Sequence, residues 1–241
     1  MLACKNWNVQ AKKSVQMLWL NKADKNKLCK LFDVFKNLQS IRIDDAFKLT
    51  LDEHLQKGFR CLHLLKEVSF SQLDLTNCTQ YFPTNLHSIH LISCDFGGDF
   101  IEHVISNNPN LEELSLRNCT GTEDISFLNR MSRLKHLSLA QFGMSNEKQP
   151  NPIWNTLKPL HNLKSINFSY EHISDSTLEW LSSCKELTSI SLYSCRFSKE
   201  ISYLPLITLD HLEYLNCGYT PQPFDLAMVV NEMKNSKIFF W

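Results

Sequence analysis

Leu111-Glu112-Glu113-Leu114-Ser115-Leu116-Arg117-Asn118-Cys119 is the stretch that decides the fold of this chain. It has the form L-x-x-L-x-L-x-x-C, in which the three leucines are expected to face one side of a short strand and a bend follows at the cysteine. A unit of this size cannot bury its apolar side alone. The pattern therefore predicts that similar units stack against it on both sides.

The same pattern returns along the whole chain, at intervals of 21 to 29 residues. Leucine-rich repeats have periods of roughly 20–29 residues and the same order of apolar positions. The chain therefore resembles the leucine-rich repeat proteins. The nine matches start at Val15, Leu38, Leu65, Leu86, Leu111, Leu134, Leu163, Leu187 and Leu212.

The third repeat has two possible registers, one that starts at Leu65 and one that starts at Phe70. The first leaves 21 residues before the next repeat, whereas the second leaves only 16. Sixteen residues are too few for a repeat of this class. We therefore place the third strand in the register of Leu65.

The segments between the strands carry apolar residues at helical spacing. Asp24 and Asp175 are predicted N-caps, and Pro205 predicts only a short or irregular turn over 202–209. The resemblance implies an α/β leucine-rich repeat solenoid, a horseshoe with a parallel inner sheet and outer helices. Helices are predicted over 24–37, 45–62, 99–107, 124–131, 175–183 and 225–234, and a capping strand over 238–241.

The two ends of the chain are predicted to differ from the repeats. Residues 1–14 form a predicted N-terminal capping helix, with Cys4, Trp7 and Ala11 on one face, and 15–241 form the leucine-rich repeat domain with its C-terminal cap. The stretch from Ala3 to Asn8, with its C-K-x-W motif before the first strand, resembles the last helix of an F-box and its passage into leucine-rich repeats, with the F-box itself largely missing. A simple cap for the apolar end of the solenoid explains these residues equally well.

Composition limits the partners and the compartment. Lys+Arg and Asp+Glu are both 25, so no charge excess favours nucleic acid or a basic partner. No apolar run reaches the roughly 18 residues of a membrane span. Nine cysteines without a C-x-x-C pair predict reduced thiols in the cytoplasm or nucleus. Cys94, Cys119 and Cys195 fall at the ninth repeat position, where we expect them to turn inward and bond the backbone of the bend.

No motif for catalysis, a cofactor or a metal occurs in the sequence. There is no phosphate-binding glycine loop, no H-E-x-x-H and no G-x-S-x-G. His87 and His90 fall on opposite sides of a strand, so they cannot hold a metal together. An enzyme would need a site built from His90, Arg117 and nearby serines, which no motif supports. We therefore predict a non-enzymatic protein.

The third, fifth and seventh positions of each repeat face outward and are predicted to bind a protein partner on the concave face. Their side chains are small and rich in serine in the middle of the chain and larger at its two ends. The polar loop from Met144 to Pro152 is a second candidate contact. A solvated sheet without a partner is the other interpretation. The predicted partner-binding residues are Trp19, Arg42, His90, Ile92, Arg117, Tyr170, Tyr193, Tyr214 and Tyr219.

These observations predict a protein–protein interaction module. The F-box resemblance implies the substrate-recognition part of a cullin-type ubiquitin ligase, with a Skp adaptor and a cullin as further partners. The alternative is a free-standing leucine-rich repeat scaffold or inhibitor without a link to ubiquitin.

Overall fold

The computed structural model describes residues 15–21, 25–45, 49, 51–76, 79–121, 124–142, 152–197, 201–221, 225–233 and 237–239. The helix predicted over 1–14, the cap at Asp24 and the polar loop up to residue 151 lie outside these residues. The chain forms two compact units, Met1–Asn110 and Leu111–Trp241.

The first unit contains a parallel sheet with helices between its strands. Each strand pairs with the strand of the next repeat, and the fourth repeat positions come into register, from Leu18 to Ile41, Val68 and Ile89. A second, two-stranded sheet follows the bend of two repeats. The elements are β1 (Met17–Asn21), α1 (Lys25–Val34), β2 (Ser40–Asp44), α2 (Glu53–Arg60), β3 (Glu67–Ser71), β4 (Asp74–Leu75), a 3₁₀ helix (Thr79–Tyr81), β5 (Ser88–Ile92), β6 (Asp95–Phe96) and α3 (Phe100–Asn107).

The second unit repeats this arrangement. Six of its described strands form a parallel sheet in chain order, and the two short strands His172–Ile173 and Arg196–Phe197 pair with each other. The elements are β7 (Glu113–Arg117), a 3₁₀ helix (Ser126–Arg130), β8 (His136–Ser138), a 3₁₀ helix (Pro152–Thr156), β9 (Ser165–Asn167), β10 (His172–Ile173), α4 (Asp175–Ser183), β11 (Ser189–Ser191), β12 (Arg196–Phe197), a 3₁₀ helix (Leu204–Thr208), β13 (Tyr214–Asn216), α5 (Leu226–Glu232) and β14 (Lys237–Phe239).

Alternation along each strand separates the core from the outward face. In β3, Val68 and Phe70 are fully buried, whereas Glu67, Ser69 and Ser71 are half-buried. This period of two is the pattern of a sheet with one apolar side. Burial of each aliphatic or aromatic side chain contributes roughly 1.5–3 kcal/mol relative to an exposed one.

The register predicted for the third repeat is confirmed. Val68 pairs with Ile41 on one side and with Ile89 on the other, as a strand that starts from Leu65 requires. The alternative register, which starts at Phe70, does not form the strand of the main sheet. Its Leu75 lies in β4 and pairs with Phe96 in the small second sheet.

The predicted helices are confirmed as α1 to α5, with one exception. Residues 124–131 were predicted as an α-helix, but Ser126–Arg130 form a 3₁₀ helix. Asp124 Oδ1 accepts a hydrogen bond from the Ser126 amide, which starts a tight turn. A 3₁₀ helix rises about 2.0 Å per residue, so it crosses the side of a short repeat with fewer residues. The short turn predicted beside Pro205 is confirmed as the 3₁₀ helix Leu204–Thr208.

The predicted cap of α4 is wrong by one residue. Ser174, and not Asp175, is the N-cap, and it forms a reciprocal capping box with Thr177. Ser174 Oγ accepts from the Thr177 amide at 3.3 Å, and Thr177 Oγ1 accepts from the Ser174 amide at 3.2 Å. The sequence rule expects Glu or Gln at the third helical position. A threonine hydroxyl replaces the longer side chain here.

Aromatic residues fill the space between sheet and helices within each unit. In the first unit, Phe70 lies 6.4 Å from Phe59 and 6.1 Å from Phe82 between ring centroids. In the second unit, the Trp154 ring lies 5.0 Å from Phe168 and 5.1 Å from Trp180. These buried contacts fix the strands from behind.

Candidate functional site

The residue at the eighth repeat position, just past the strand, has a left-handed backbone in every described repeat. The φ angle lies between 51° and 70° at these positions, and none of them is glycine. A left-handed backbone costs other residues roughly 1–2 kcal/mol. All of these side chains are partly or fully exposed, so the eighth position belongs to the outward face. The residues are Asp45, Gln72, Ser93, Asn118, Gln141, Tyr170, Ser194 and Tyr219.

The ninth position holds the bend from inside, as predicted for the cysteines. Cys195 Sγ donates to the Phe168 carbonyl of the preceding repeat at 3.0 Å, and Cys94 Sγ lies 3.6 Å from the equivalent Phe70 carbonyl. Cys119 Sγ bonds the Arg117 carbonyl at 3.5 Å. All three thiols are buried, and the described cysteines are free rather than disulfide-bonded.

One ninth position carries an acid. Glu171 Oε1 accepts a hydrogen bond from the Phe142 amide at 2.7 Å. Burial raises the pKa of Glu171 to about 8, and the hydrogen bond from Phe142 opposes this shift only in part. The carboxyl is therefore mostly protonated at neutral pH and acts as a neutral bend residue.

An ordered aromatic and charged cluster lies on the outward face of β1 and β2. Trp19 is 65% exposed, and its Nε1 donates to Asp44 Oδ2 at 2.7 Å. The Arg42 guanidinium lies 5.0 Å from the Trp19 ring centroid and also bonds Asp44, through Nε at 3.1 Å. We call Trp19, Arg42 and Asp44 the tryptophan cluster. It fixes a large exposed ring in one orientation.

A row of three tyrosines lies on the outward face of the second unit. The Tyr193 ring centroid is 5.7 Å from that of Tyr170 and 5.3 Å from that of Tyr219, and both pairs are edge-to-face. Tyr170 is 43% exposed and Tyr219 is 68% exposed. We call these three residues the tyrosine row. Offset and edge-to-face pairs are the preferred arrangements of aromatic rings.

The structure places the other predicted residues on the outward face as well. His90 and Ile92 are half-buried on β5, where His90 Nε2 bonds Ser88 Oγ at 2.9 Å. Arg117 is exposed at the end of β7. Tyr214 is 36% exposed at the start of β13, at the opposite end of that strand from Tyr219.

Asp44 is the member of the tryptophan cluster that the sequence prediction missed. A signal was present, because Arg42 and Asp44 occupy the fifth and seventh positions of one strand and so share a face. The strand register places Trp19 directly beside Arg42. An acid two residues from an arginine and next to an outward tryptophan could therefore have been added to the prediction.

The described part of the chain holds no candidate metal site and no membrane-spanning helix. No group of three or more His, Cys, Asp or Glu side chains there could hold a metal ion. No helix in the same residues has the length and hydrophobicity needed to cross a bilayer.

Comparison with known proteins places the fold. No family model matches the chain, and no curated protein matches its sequence. A TLR13–ssRNA13 complex matches with a TM-score of 0.65, at 14% identity, over 98% of this chain and 34% of the TLR13 chain. The internalin InlF of Listeria monocytogenes matches with a TM-score of 0.55, at 17% identity, over 86% of this chain and 62% of InlF.

A leucine-rich repeat protein of Leptospira interrogans matches over 96% of this chain and 67% of its own, with a TM-score of 0.52 at 18% identity. This chain has the α/β leucine-rich repeat solenoid fold. The Arabidopsis receptor kinase HAESA, in complex with the peptide hormone IDA and the co-receptor SERK1, matches at 17% identity with a TM-score of 0.56 over 89% of this chain. The present leucine-rich repeats span about a third of the TLR13 and HAESA chains.

Proposed function

We propose that these leucine-rich repeats form a protein-binding module that recognises its partner with the outward side of the strands. The observation that carries this proposal is the tryptophan cluster. A tryptophan that is 65% exposed gains little from the fold, yet Asp44 and Arg42 hold it in place. Tryptophan and arginine are strongly enriched among the residues that dominate binding energy at protein interfaces.

Pre-ordering of the ring favours binding. A side chain that is already fixed loses less conformational entropy when a partner covers it, by about 0.5–1.5 kcal/mol for a rotamer-rich side chain. Asp44 supplies this order twice, because it accepts hydrogen bonds from both Trp19 and Arg42. The interaction surface is thus prepared before the partner arrives.

The charge balance of the outward face favours a protein over a nucleic acid. The complex of TLR13 contains ssRNA, and that of HAESA contains a peptide hormone. Nucleic acid binding relies on Lys and Arg that neutralise phosphates. Here Arg42 is paired with Asp44, and Glu67 and Glu113 occupy outward positions of the third and fifth repeats. A protein partner fits this balanced surface better.

Affinity capture tests the proposal. The chain is used as bait in cell extract beside a Trp19→Ala/Arg42→Ala/Tyr193→Ala/Tyr214→Ala variant, and bound proteins are quantified by mass spectrometry. A Glu179→Ala variant on the exposed side of α4 is the control. We expect a protein that the native and control chains hold and that the fourfold variant loses. Capture that is the same for all three chains would contradict the proposal.

The finer role follows from the F-box resemblance of the stretch from Ala3 to Asn8. On that basis the repeats would hold substrates for a cullin-type ubiquitin ligase, and the N-terminal segment would contact a Skp adaptor. The same capture experiment tests this role with a Cys4→Ala/Trp7→Ala variant. Recovery of the adaptor and cullin with the native chain, and their loss from this variant, is the expected result. Recovery of a partner without either ligase component favours the free-standing scaffold or inhibitor.

A further inference from the structure

A cleft of about 310 Å³ opens in front of the strands β3 and β5 of the first unit. One wall is the second half of α2 with the turn that leads to β3, and the other is the turn from the 3₁₀ helix Thr79–Tyr81 to β5. We call it the basic cleft, after the side chains described below. None of its lining residues occupies an outward position of a repeat, so it does not depend on the protein-binding role above.

The basic cleft arises because two neighbouring repeats differ in length. The interval from Leu38 to Leu65 is 27 residues and contains the eight-residue helix α2, whereas the interval from Leu65 to Leu86 is 21 residues and contains a 3₁₀ helix of three residues. These helices are about 12 Å and about 6 Å long, at 1.5 and 2.0 Å per residue. The shorter element cannot cover the whole of α2, and the uncovered residues line the cleft.

Hydrogen bonds fix both walls of the cleft. Gln56 Nε2 of α2 donates to the Gln80 carbonyl of the 3₁₀ helix at 2.5 Å. On the other wall, the Asn85 amide donates to the Asn107 carbonyl at the end of α3, at 3.0 Å. A cleft that is already ordered loses less conformational entropy when a ligand enters, and this favours binding.

The charged side chains around the cleft are basic, and among the described residues no acid lines it. Arg60 and Lys66 carry the fixed positive charges, and the histidines His63 and His87 lie beside them. The described ion pairs of the first unit join other cations to their acids, and neither Arg60 nor Lys66 takes part in one. Both charges can therefore bind an anion.

One buried atom at the cleft lacks a hydrogen bond. His87 Nδ1 is buried and has no hydrogen-bond partner among the described residues. The His87 amide donates to the Lys66 carbonyl at 2.7 Å, so these two lining residues lie side by side in adjacent repeats. Buried polar atoms nearly always have a partner, and a ligand oxygen is a partner for a histidine nitrogen.

The rest of the lining is largely apolar. Binding sites for small molecules combine an apolar lining with a few polar groups and have volumes of about 300–1,000 Å³. The basic cleft lies at the lower end of this range and suits one ring with its charged group. The buried apolar residues that line it are Phe59, Leu62, Leu65, Phe82 and Pro83.

We propose that the basic cleft binds a phosphate monoester carried on an aromatic ring. Such a phosphate has a charge of about −1.5 to −2 at neutral pH, which matches Arg60 and Lys66 better than the single charge of a carboxylate does. A guanidinium group bonds two phosphate oxygens at once, and the apolar lining accommodates the ring. A free aryl phosphate and a phosphotyrosine side chain share this chemistry.

Ligand-observed NMR titrations with the full chain test the ligand class. Phenyl phosphate is the probe, inorganic phosphate lacks its ring, and phenol lacks its phosphate. We expect phenyl phosphate to bind at least about tenfold more tightly than either of them, because ring burial and charge pairing both contribute. Benzoate, with its single charge, should bind more weakly than phenyl phosphate. Equal affinities of phenyl phosphate and inorganic phosphate, or of phenyl phosphate and phenol, would overturn the proposal.

Variants locate the binding site. We expect Arg60→Ala and Lys66→Ala each to weaken phenyl phosphate binding about tenfold, as for hydrogen bonds to charged groups. Arg60→Lys keeps the charge but loses the paired hydrogen bonds, so it should weaken binding less than Arg60→Ala does. Lys30→Ala removes an exposed cation of α1 that does not line the cleft, and it should leave the affinity unchanged. Equal affinities of the native, Arg60→Ala and Lys66→Ala chains would overturn the proposal.

His87→Leu separates binding from folding. The change removes a buried polar atom that has no partner, so the thermal unfolding midpoint of the ligand-free chain should not fall. Phenyl phosphate binding should nevertheless weaken about threefold or more, since a hydrogen bond to the ligand is lost. Unchanged affinity of this variant would overturn the part of the proposal that rests on His87.

A pair of short peptides identifies the source of the phosphate. One contains a central phosphotyrosine and the other an unmodified tyrosine. Phosphopeptide binding at least about tenfold tighter than that of phenyl phosphate would assign the cleft to a phosphorylated protein, because flanking residues then add contacts. Equal affinities would assign it to a free aryl phosphate. Capture by the outward face is measured separately, so either proposal can fail without the other.

Discussion

At the scale of single residues, the ninth repeat position shows that either a thiol or a carboxyl group can bond the backbone at the bend. Cys94 and Cys195 bond a carbonyl of the preceding repeat with a thiol, and Glu171 accepts from the Phe142 amide with a carboxyl oxygen. In these three repeats a polar side-chain atom satisfies a backbone group at the bend, whereas Leu73 and Phe142 fill the same position with apolar side chains. Glu171 satisfies the Phe142 amide but is itself largely buried, and this burial raises the pKa of its carboxyl group.

The stability of the protein should therefore fall with pH because of Glu171. Its pKa is about 8 in the folded chain and 4.5 ordinarily, so the folded state binds the extra proton between these values. The stabilising effect is complete below about pH 4.5 and is lost as pH rises through about 8, at up to about 1.4 kcal/mol per pH unit. Glu171→Gln should remove this slope from urea unfolding curves measured at about pH 5 to 8. Identical slopes for the native and Glu171→Gln chains would contradict the assignment.

Substitution at Tyr219 should reverse the usual order of glycine and alanine. Both changes remove the ring, but at a φ angle of 58° glycine is unstrained and alanine is not. We expect Tyr219→Gly to be more stable than Tyr219→Ala by about 1 kcal/mol, measured by thermal or urea unfolding. The same pair of changes at Tyr214, within β13, is the control and should favour alanine. A more stable alanine variant at Tyr219 would mean that the bend does not demand a left-handed residue.

At the scale of elements, the helices on the outer side are too short to be stable by themselves, and their caps and packing stabilise them. The α4 helix has only nine residues, and isolated helices shorter than about 12–15 residues are marginal in water. Its first turn is closed by Ser174 and Thr177, and Leu178 and Leu181 are fully buried. The cap and this packing together hold it.

Loss of the cap should weaken the second unit measurably. Ser174→Ala removes the acceptor for the Thr177 amide, and we expect a loss of about 0.5–2 kcal/mol in the free energy of unfolding. Ser182 lies near the other end of the same helix, is half-buried and donates only to the Glu179 carbonyl within that helix, so Ser182→Ala should change stability by less than about 0.5 kcal/mol. Chemical denaturation followed by circular dichroism gives both values. Equal effects of the two changes would argue against the capping box as the source of stability.

The sequence predicts the elements better than their ends. The repeat pattern places the main strand of each repeat correctly, because the mostly apolar residues at the fourth and sixth positions face the core. It does not predict the short strands β4, β6, β10 and β12. It does not reveal Ser174 as the cap, since Thr177 is not the residue that the capping-box rule expects. It also misses the 3₁₀ helix Ser126–Arg130, because apolar spacing alone does not separate a short α-helix from a 3₁₀ helix.

The candidate site is less predictable for a physical reason. The outward position of Trp19 and Tyr193 follows from the strand period, but the contacts among side chains depend on rotamers and on neighbouring repeats. The left-handed backbone at Tyr170 and Tyr219 has no sequence signal, because the eighth position holds Asp, Gln, Ser, Asn or Tyr and never glycine. At Tyr170 and Tyr219 the stacking of repeats outweighs the preference of tyrosine for a negative φ angle.

At the scale of the whole molecule, the described thiols divide into accessible and protected groups. Cys61 is exposed and Cys29 is half-buried, whereas Cys94, Cys119, Cys184, Cys195 and Cys217 are buried. Burial raises the pKa of Cys195 and Cys217 to about 12 and also raises that of Cys184. Thiolate is the reactive form of cysteine, so these thiols are protected both by their burial and by their raised pKa.

Alkylation of the native protein should reflect this division. We expect a thiol reagent at neutral pH to modify Cys61 first and to reach the five buried cysteines only as the chain unfolds, as followed by peptide mass spectrometry. The Cys61→Ser variant should lose the fast modification among these six sites. Rapid labelling of Cys195 or Cys217 in native buffer would contradict the packing described for the bends.

The separation of inward and outward residues along each strand has a consequence for how this chain can change. Main-chain pairing, apolar side chains and the bends hold the repeats, so outward side chains that bond no backbone group can change without a new fold. Randomising the outward serines and Tyr214 of β9, β11 and β13 in a display library, with Asn167 and Asn216 kept because they accept from the Ser169 and Gly218 amides, would keep the backbone and vary only recognition. The protein is, in this sense, a scaffold from which binders of new specificity can be selected.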